Sequence, residues 1–254
     1  MKTVDFSRIL IDAIQLCGLD RTDITYDTFS QMRDFANTRL KMAWEYDRWP
    51  DIVRFSNSTV QTDGDTKYLI KPSGAGEVYA IWSKDPNSST RAINVDFSIV
   101  HTDTQERLII SGSSSEDMII EYRLEPAVLE GDPWNSSTEY FAGSQVFFDS
   151  GSATGGLTQE EGKPFNGNFY TCLVKNTNTD PSINTVNWKK VSIPYIFGQY
   201  ISRGCLGDYL RSEGQFDSAQ VAEAEAKYFL DLEIDKIVRQ QGQVQKYNFI
   251  QTYQ

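Results

Sequence analysis

Phe216-Asp217-Ser218-Ala219-Gln220-Val221-Ala222 opens the most regular segment of this 254-residue chain. Asp217 followed by Gln220 is a helix-capping pattern in which each side chain satisfies the other's backbone amide, and Phe216 can staple onto Val221. Ala222, Ala226, Phe229, Leu230, Ile234 and Ile237 then recur at helical spacing. Upstream, Pro194 stands at the favoured first position of another helix, with Tyr195, Ile201, Leu206, Tyr209 and Leu210 on its expected buried side. Gly214 supplies a left-handed stop between the two. After Gly242 the pattern dissolves into a polar tail carrying Tyr247, Phe249 and Tyr253.

The other end of the chain mirrors this one. Asp5 is placed to cap a helix with Ile9, Leu10, Ala13, Ile14 and Cys17 on one stripe, and Gly18 stops it. Thr28-x-x-Gln31 is a second capping pattern, followed by Phe29, Met32, Ala36, Leu40, Ala43 and Trp44. Trp49-Pro50 ends that run, because the residue before proline disfavours helix. Each pair is short of packing partners alone. Together they complete one helical core, with everything between inserted into it.

From Arg54 to Glu125 the period changes to two. Thr66 to Ile70, Glu77 to Trp82, Ile93 to Val100, Arg107 to Ser111 and Met118 to Leu124 read as short strands separated by turn clusters. Glu121, Arg123 and Glu125 alternate with Ile120, Tyr122 and Leu124, so one face of that strand reads as wet. Residues 126–192 are richer in Ser, Thr, Asn and Gly. The expected class is α+β: a helical bundle from the N- and C-terminal helices, an inserted antiparallel β block and a second small β domain. The corresponding boundaries are 1–55 with 193–241, 56–130, 131–192, and a C-terminal arm over 242–254.

The formal net charge is −11, from 24 basic and 35 acidic side chains. Residues 56–130 hold 12 acids against 6 bases, so −6 of the total lies in the β block. Acidity of this kind argues against a surface that grips nucleic-acid backbone. One histidine and three scattered cysteines exclude His-rich metal sites, zinc ribbons and a disulfide scaffold. No apolar run is long enough to span a bilayer, and Met1-Lys2-Thr3-Val4-Asp5 lacks the apolar core of a signal peptide.

Chemical motifs are also wanting. The stretch Asp149 to Gly156 is glycine-rich, but Gly162-Lys163 is followed by Pro164, so it reads as a hairpin tip and not a phosphate cradle. Asp63-Gly64-Asp65 lacks spaced oxygen ligands after it and reads as a turn. His101 beside Asp103 has no nucleophile in sequence range. Cys17 and Cys205 sit on apolar helix faces and read as small hydrophobes, and Cys172 falls on a strand, where burial would leave it inert. Glu223, Glu225, Asp231, Glu233 and Asp235 spread around a helix as a solvated face. No enzyme, metal or cofactor is expected.

Two resemblances extend this reading. Trp134 with Tyr140-x-x-Gly143, then Tyr170-x-Cys172, Thr179-x-Pro181 and Trp188-x-x-Val191, resembles the small chitin-binding-type carbohydrate-binding modules. In that family the opening tryptophan, the Tyr-x-x-Gly turn and the closing tryptophan build a compact core. Leu173-Val174-Lys175-Asn176 stands where the sugar-stacking aromatic pair would be, so Trp134, Tyr140, Gly143, Tyr170 and Trp188 read as a frame and not a glycan platform. A frame without the platform suits protein contact or surface decoration.

The rest of the chain resembles the head-to-tail adaptor proteins of tailed bacteriophages. Met42-Ala-Trp-Glu-Tyr46 with Trp49-Pro50, Gly76 to Trp82, Met118 to Pro126, Ile193 to Tyr200, Tyr209 to Gln215 and Gln240 to Gln243 carry the likeness by their order. The resemblance implies a non-enzymatic virion protein made in the host cytoplasm. It implies a homo-oligomeric ring, usually of twelve copies, between the portal protein and a downstream tail or head-completion protein. Double-stranded DNA would pass through the ring without sequence-specific binding, and no membrane is involved. A C-terminal arm would reach the portal, placing Gln241, Gln243, Tyr247, Phe249 and Tyr253 in that contact. The acidic β block would either let DNA slide along the channel or face outward as a docking surface. The alternative class is a carbohydrate-binding adhesin or an accessory module of a polysaccharide-degrading assembly. Paired helices at both ends separate the two, since an adhesin has no need of them.

Overall fold

Ile9, Leu10, Ala13 and Ile14 share one helix face and are all buried, which defines α1 (Phe6–Leu16) of the computed structural model. The structure describes residues 2–19, 24–88, 92–103, 105–112, 117–152, 154–155, 157 and 165–251, with the side chains of 241–251 outside that description. The other helices are α2 (Tyr26–Tyr46), α3 (Gly198–Ser212) and α4 (Phe216–Gln251). With its antiparallel sheets the class is α+β. The chain divides into two compact units, Met1–Tyr46 with Ala127–Gln254, and Asp47–Pro126.

In the first unit α1, α2 and α4 each pack against α3. The stripe Phe29, Met32, Ala36, Leu40, Ala43 and Trp44 of α2 is buried throughout. Gly18 and Gly214 adopt positive φ and end α1 and α3. In each case a backbone bond spans the stop, from Leu19 N–H to Ile14 and from Gln215 N–H to Leu210. Tyr195 lies exposed in a short 3-10 turn before α3. α4 continues past Gly242 to Gln251, where the sequence pattern ends earlier.

The helix caps differ from the sequence expectation. Asp5 occupies the N-cap of α1 but makes no capping bond; its carboxylate pairs with Lys190. The Phe6 N–H goes to the side chain of Asn168 instead. α2 begins one turn earlier than Thr28, because the Thr25 hydroxyl accepts the Thr28 N–H at 3.2 Å. Gln215 receives the first bond of α4 from the Ala219 N–H, so Asp217 lies inside the first turn and Phe216 and Val221 are exposed.

The strands of this unit, with those of the second numbered in chain order between them, are β1 (Thr3–Val4), β10 (Glu139–Tyr140), β11 (Gln145–Asp149), β12 (Gly167–Cys172), β13 (Asn176–Thr177), β14 (Trp188–Lys190) and β15 (Ile193–Pro194). They form the pairs β1–β15 and β10–β13 and the antiparallel sheet β11–β12–β14. Where the sequence reading draws a separate domain over 131–192, these strands belong to the helical unit. One face of the sheet packs Phe147 and Phe169 against Phe6 of α1 and Phe29 of α2, with ring centroids 4.5 to 6.3 Å apart. Asn37 of α2 clasps Leu129 through both its backbone groups, at 2.8 and 2.7 Å.

The second unit contains β2 (Val53–Thr59), β3 (Gln61–Asp63), β4 (Thr66–Ile70), β5 (Ala75–Trp82), β6 (Asn94–Val95), β7 (Phe97–His101), β8 (Glu106–Ile110) and β9 (Asp117–Leu124). They make two antiparallel sheets, β2–β9–β5–β6 and β3–β4–β8–β7. Leu69, Leu108 and Ile110 from one sheet meet Val78, Ile81, Met118 and Ile120 from the other in a single core cluster. Glu121 corrects the expected wet face of β9. It is buried at 4% exposure, paired with Arg48 and accepting the Trp82 indole N–H at 2.9 Å.

Candidate functional site

Arg39 joins three helices at the centre of the first unit. Its guanidinium is buried and grips Asp208 of α3 through two bonds, at 2.8 and 2.6 Å, while a third nitrogen lies 3.4 Å from Glu223 of α4. Arg211 binds both of those carboxylates and closes the network. Burial pulls the Arg39 pKa down, but bonds to Asp208 and Tyr200 outweigh it and hold the charge firmly. At Glu223 burial acts upward, and Arg211 and Arg39 together bring the carboxyl below its usual range. Gly204 makes the arrangement possible, since a Cβ there would lie 2.6 Å from the Arg39 side chain. Farther along, the Tyr46 hydroxyl donates to Asp231 at 2.8 Å and ties α2 to α4 again.

The frame residues converge. Trp188, Tyr170, Cys172, Val146 and Phe148 form one buried cluster, with Trp134 and Tyr140 packed at its edge. Tyr140 meets Trp188 edge-on at 5.4 Å, and Trp134 meets Phe148 the same way at 5.4 Å. Gly143 turns the chain at φ +91° and donates to the Cys172 carbonyl. These rings pack edge against face within the module.

The module's outer end is different. Phe141, Leu173, Val174, Ile183 and Val186 lie on three loops and are all exposed, Ile183 and Val186 at 78% and 76%. The loops are drawn together by backbone bonds from Gly143 to Cys172 and from Leu173 to Asn187. Sequence reasoning did not single out this tip. Its signal was the low charge of 164–188, where Lys175 and Asp180 are the only charged residues.

A groove of about 540 Å³ opens on the first unit between α1 and α4, with α3 beneath. Ile9, Phe229 and Leu232 supply apolar lining, and Arg8 and Lys236 stand on its two rims. Gly198 and Ser202 bring α3 into the floor, where the Ser202 hydroxyl is spent on the carbonyls of Ile9 and Gly198.

In the arm, Gln241, Gln243, Tyr247 and Phe249 fall within the helical backbone of α4, but their side chains lie outside the described residues, as does all of Tyr253. Several acids of the β block are engaged locally: Asp63 with Arg107, Glu77 with Arg123, and Glu106 with Lys71 and His101. Burial raises all three thiols, Cys17 to about 12, which keeps them in the poorly nucleophilic protonated form. Among the described residues no cluster of three or more His, Cys, Asp or Glu is placed to hold a metal, and no helix is long and apolar enough to cross a membrane. No protein-family model and no curated protein matches the chain.

Proposed function

We propose that the chain is a structural, non-enzymatic head-to-tail adaptor of a tailed bacteriophage. Copies would form a ring, of about twelve on the family resemblance, between the portal and the next tail or head-completion protein. The observation that carries the reading is the discontinuous helical unit. Helices from both ends of the chain share α3 as their common partner, and the Asp47–Pro126 β block is inserted between them. The four helices act as the bundle that makes ring contacts. The arm from Gln241 onward reaches the portal, and the acidic β block offers DNA a surface it does not adhere to.

Sugar binding is the weaker alternative. Trp188 and Tyr170 are buried in the module's core, and aliphatic Leu173 and Val174 occupy the exposed position of a stacking pair. Aliphatic side chains offer a sugar none of the ring-face attraction that aromatic ones do. Mass photometry of the purified chain, alone and mixed with portal rings, tests the proposal. A defined multimer seated on the portal supports it. A monomer that ignores portal rings yet is retained on chitin overturns it.

A further inference from the structure

We infer that the apolar tip of the small β module is the knob, and the groove between α1 and α4 the socket, of a contact between neighbouring copies of this chain. The inference rests on the ring reading above and names the surfaces that would close the ring.

Three observations lead to a second copy as the occupant. The tip exposes Phe141, Leu173, Val174, Ile183 and Val186 together, on loops pinned by backbone hydrogen bonds. Exposed apolar side chains on loops held by backbone hydrogen bonds mark a contact surface, and the Lys175 ammonium lies 5.0 Å from the Phe141 ring at its edge. The groove supplies the complementary shape, since α1 and α4 both pack on α3 and leave a slot between them lined by Ile9, Phe229 and Leu232. Its volume of about 540 Å³ accommodates several aliphatic side chains.

Charge then selects the partner. Copies of a chain with net charge −11 repel one another unless they meet where acid is scarce or answered by base. The tip carries only Glu139, Lys175 and Asp180, with Glu139 and Lys175 already paired at 3.0 Å. The groove's most exposed charges are cationic: Arg8 is 73% and Lys236 56% exposed, whereas their partners Asp12 and Glu233 are only 24% and 23% exposed. Asp180 of an incoming tip, which keeps its bonds from Ser182, thus approaches a charge-balanced rim on which the cations are the more exposed partners, while Ile183 and Val186 enter the apolar slot. Knob and socket are different surfaces of the same unit, so the contact is heterologous. Repeated copies joined in this way close into a ring or grow into a filament.

The test uses full-length protein assembled with portal rings. A photo-crosslinking amino acid at Val186 is expected to label peptides of α1, α3 or α4 from another copy. Ile183→Asp with Val186→Asp is expected to raise the concentration needed for assembly at least tenfold, read by mass photometry, with an unchanged thermal midpoint as the folding control. Lys236→Glu is expected to weaken assembly in the same direction. If rings form at the wild-type concentration in the tip variant, or the crosslinks fall outside the groove, the knob-and-socket inference fails while the ring reading stands. If wild-type protein forms no assembly with portal, both fail.

Discussion

The side-chain carbonyl of Asn168 accepts the buried backbone N–H of Phe6 at 3.1 Å, across 162 residues of chain. The first amide of α1 is therefore satisfied by a strand of the small β module and not by the aspartate beside it. Asn168→Ala is expected to leave that donor buried without an acceptor and to destabilise the first unit by about 1–3 kcal/mol. Asp5→Ala removes only a half-exposed pair with Lys190 and is expected to cost under about 1 kcal/mol. Urea denaturation of the two variants checks the order.

Arg39 and Gly204 form a coupled pair. Arg39→Ala removes the two-bond grip on Asp208, leaving that carboxylate to Arg211 alone, and is expected to cost about 1.5–3 kcal/mol. Gly204→Ala forces a methyl group against the Arg39 stem and is expected to cost about 1–3 kcal/mol. The double variant should cost clearly less than the sum, because removing the arginine also removes the clash. Strict additivity in denaturation would contradict the geometry.

Asp149 governs a pH dependence of known sign. Burial raises its carboxyl above the ordinary 3.8, and bonds from the Gly151 and Asn166 amides offset this only in part. Its second oxygen is buried without a hydrogen-bond partner. The folded state thus holds the proton to higher pH than the unfolded state, so stability falls as pH rises from 3.8 through the raised value. Asp149→Asn is expected to lose this decline, and its advantage over wild type should grow as pH rises from 3.8 through the raised value. Denaturation midpoints across that range supply the comparison.

Glu121 offers a fourth test in the β unit. Glu121→Gln keeps an acceptor for the Trp82 indole, whereas Glu121→Leu leaves that indole N–H without its acceptor. The leucine variant is expected to be the less stable by about 1 kcal/mol or more, measured as the difference in urea midpoints.

Much of this architecture was legible in the sequence, and what was hidden has identifiable causes. Helix stripes and the glycine stops at Gly18 and Gly214 were readable because they are local. Capping was not, since Asn168 reaches α1 from the far side of the chain and Thr25 competes with Thr28. The strand Val53–Thr59 was missed as an element because its Ser-Asn-Ser centre carries no apolar alternation. Its pairing is set by β9, with Ser56 opposite Ile120. Glu121 looked wet because period-two reading cannot foresee an arginine and an indole covering the second face.

The module's attachment did leave a trace. Val146-Phe147-Phe148 is a continuous apolar run, which signals a strand buried on both faces. Val146 and Phe148 serve the module's own core, while Phe147 meets the helices. The groove and the tip had no comparable trace, since both arise from how separate segments meet.

The ring account is tested most directly by electron microscopy of portal rings mixed with the full-length chain. It predicts one closed layer of copies seated on the portal around an open channel, with the small β module of each copy at the boundary with the next. Portal rings that remain bare, with the chain monomeric in the background, would contradict it.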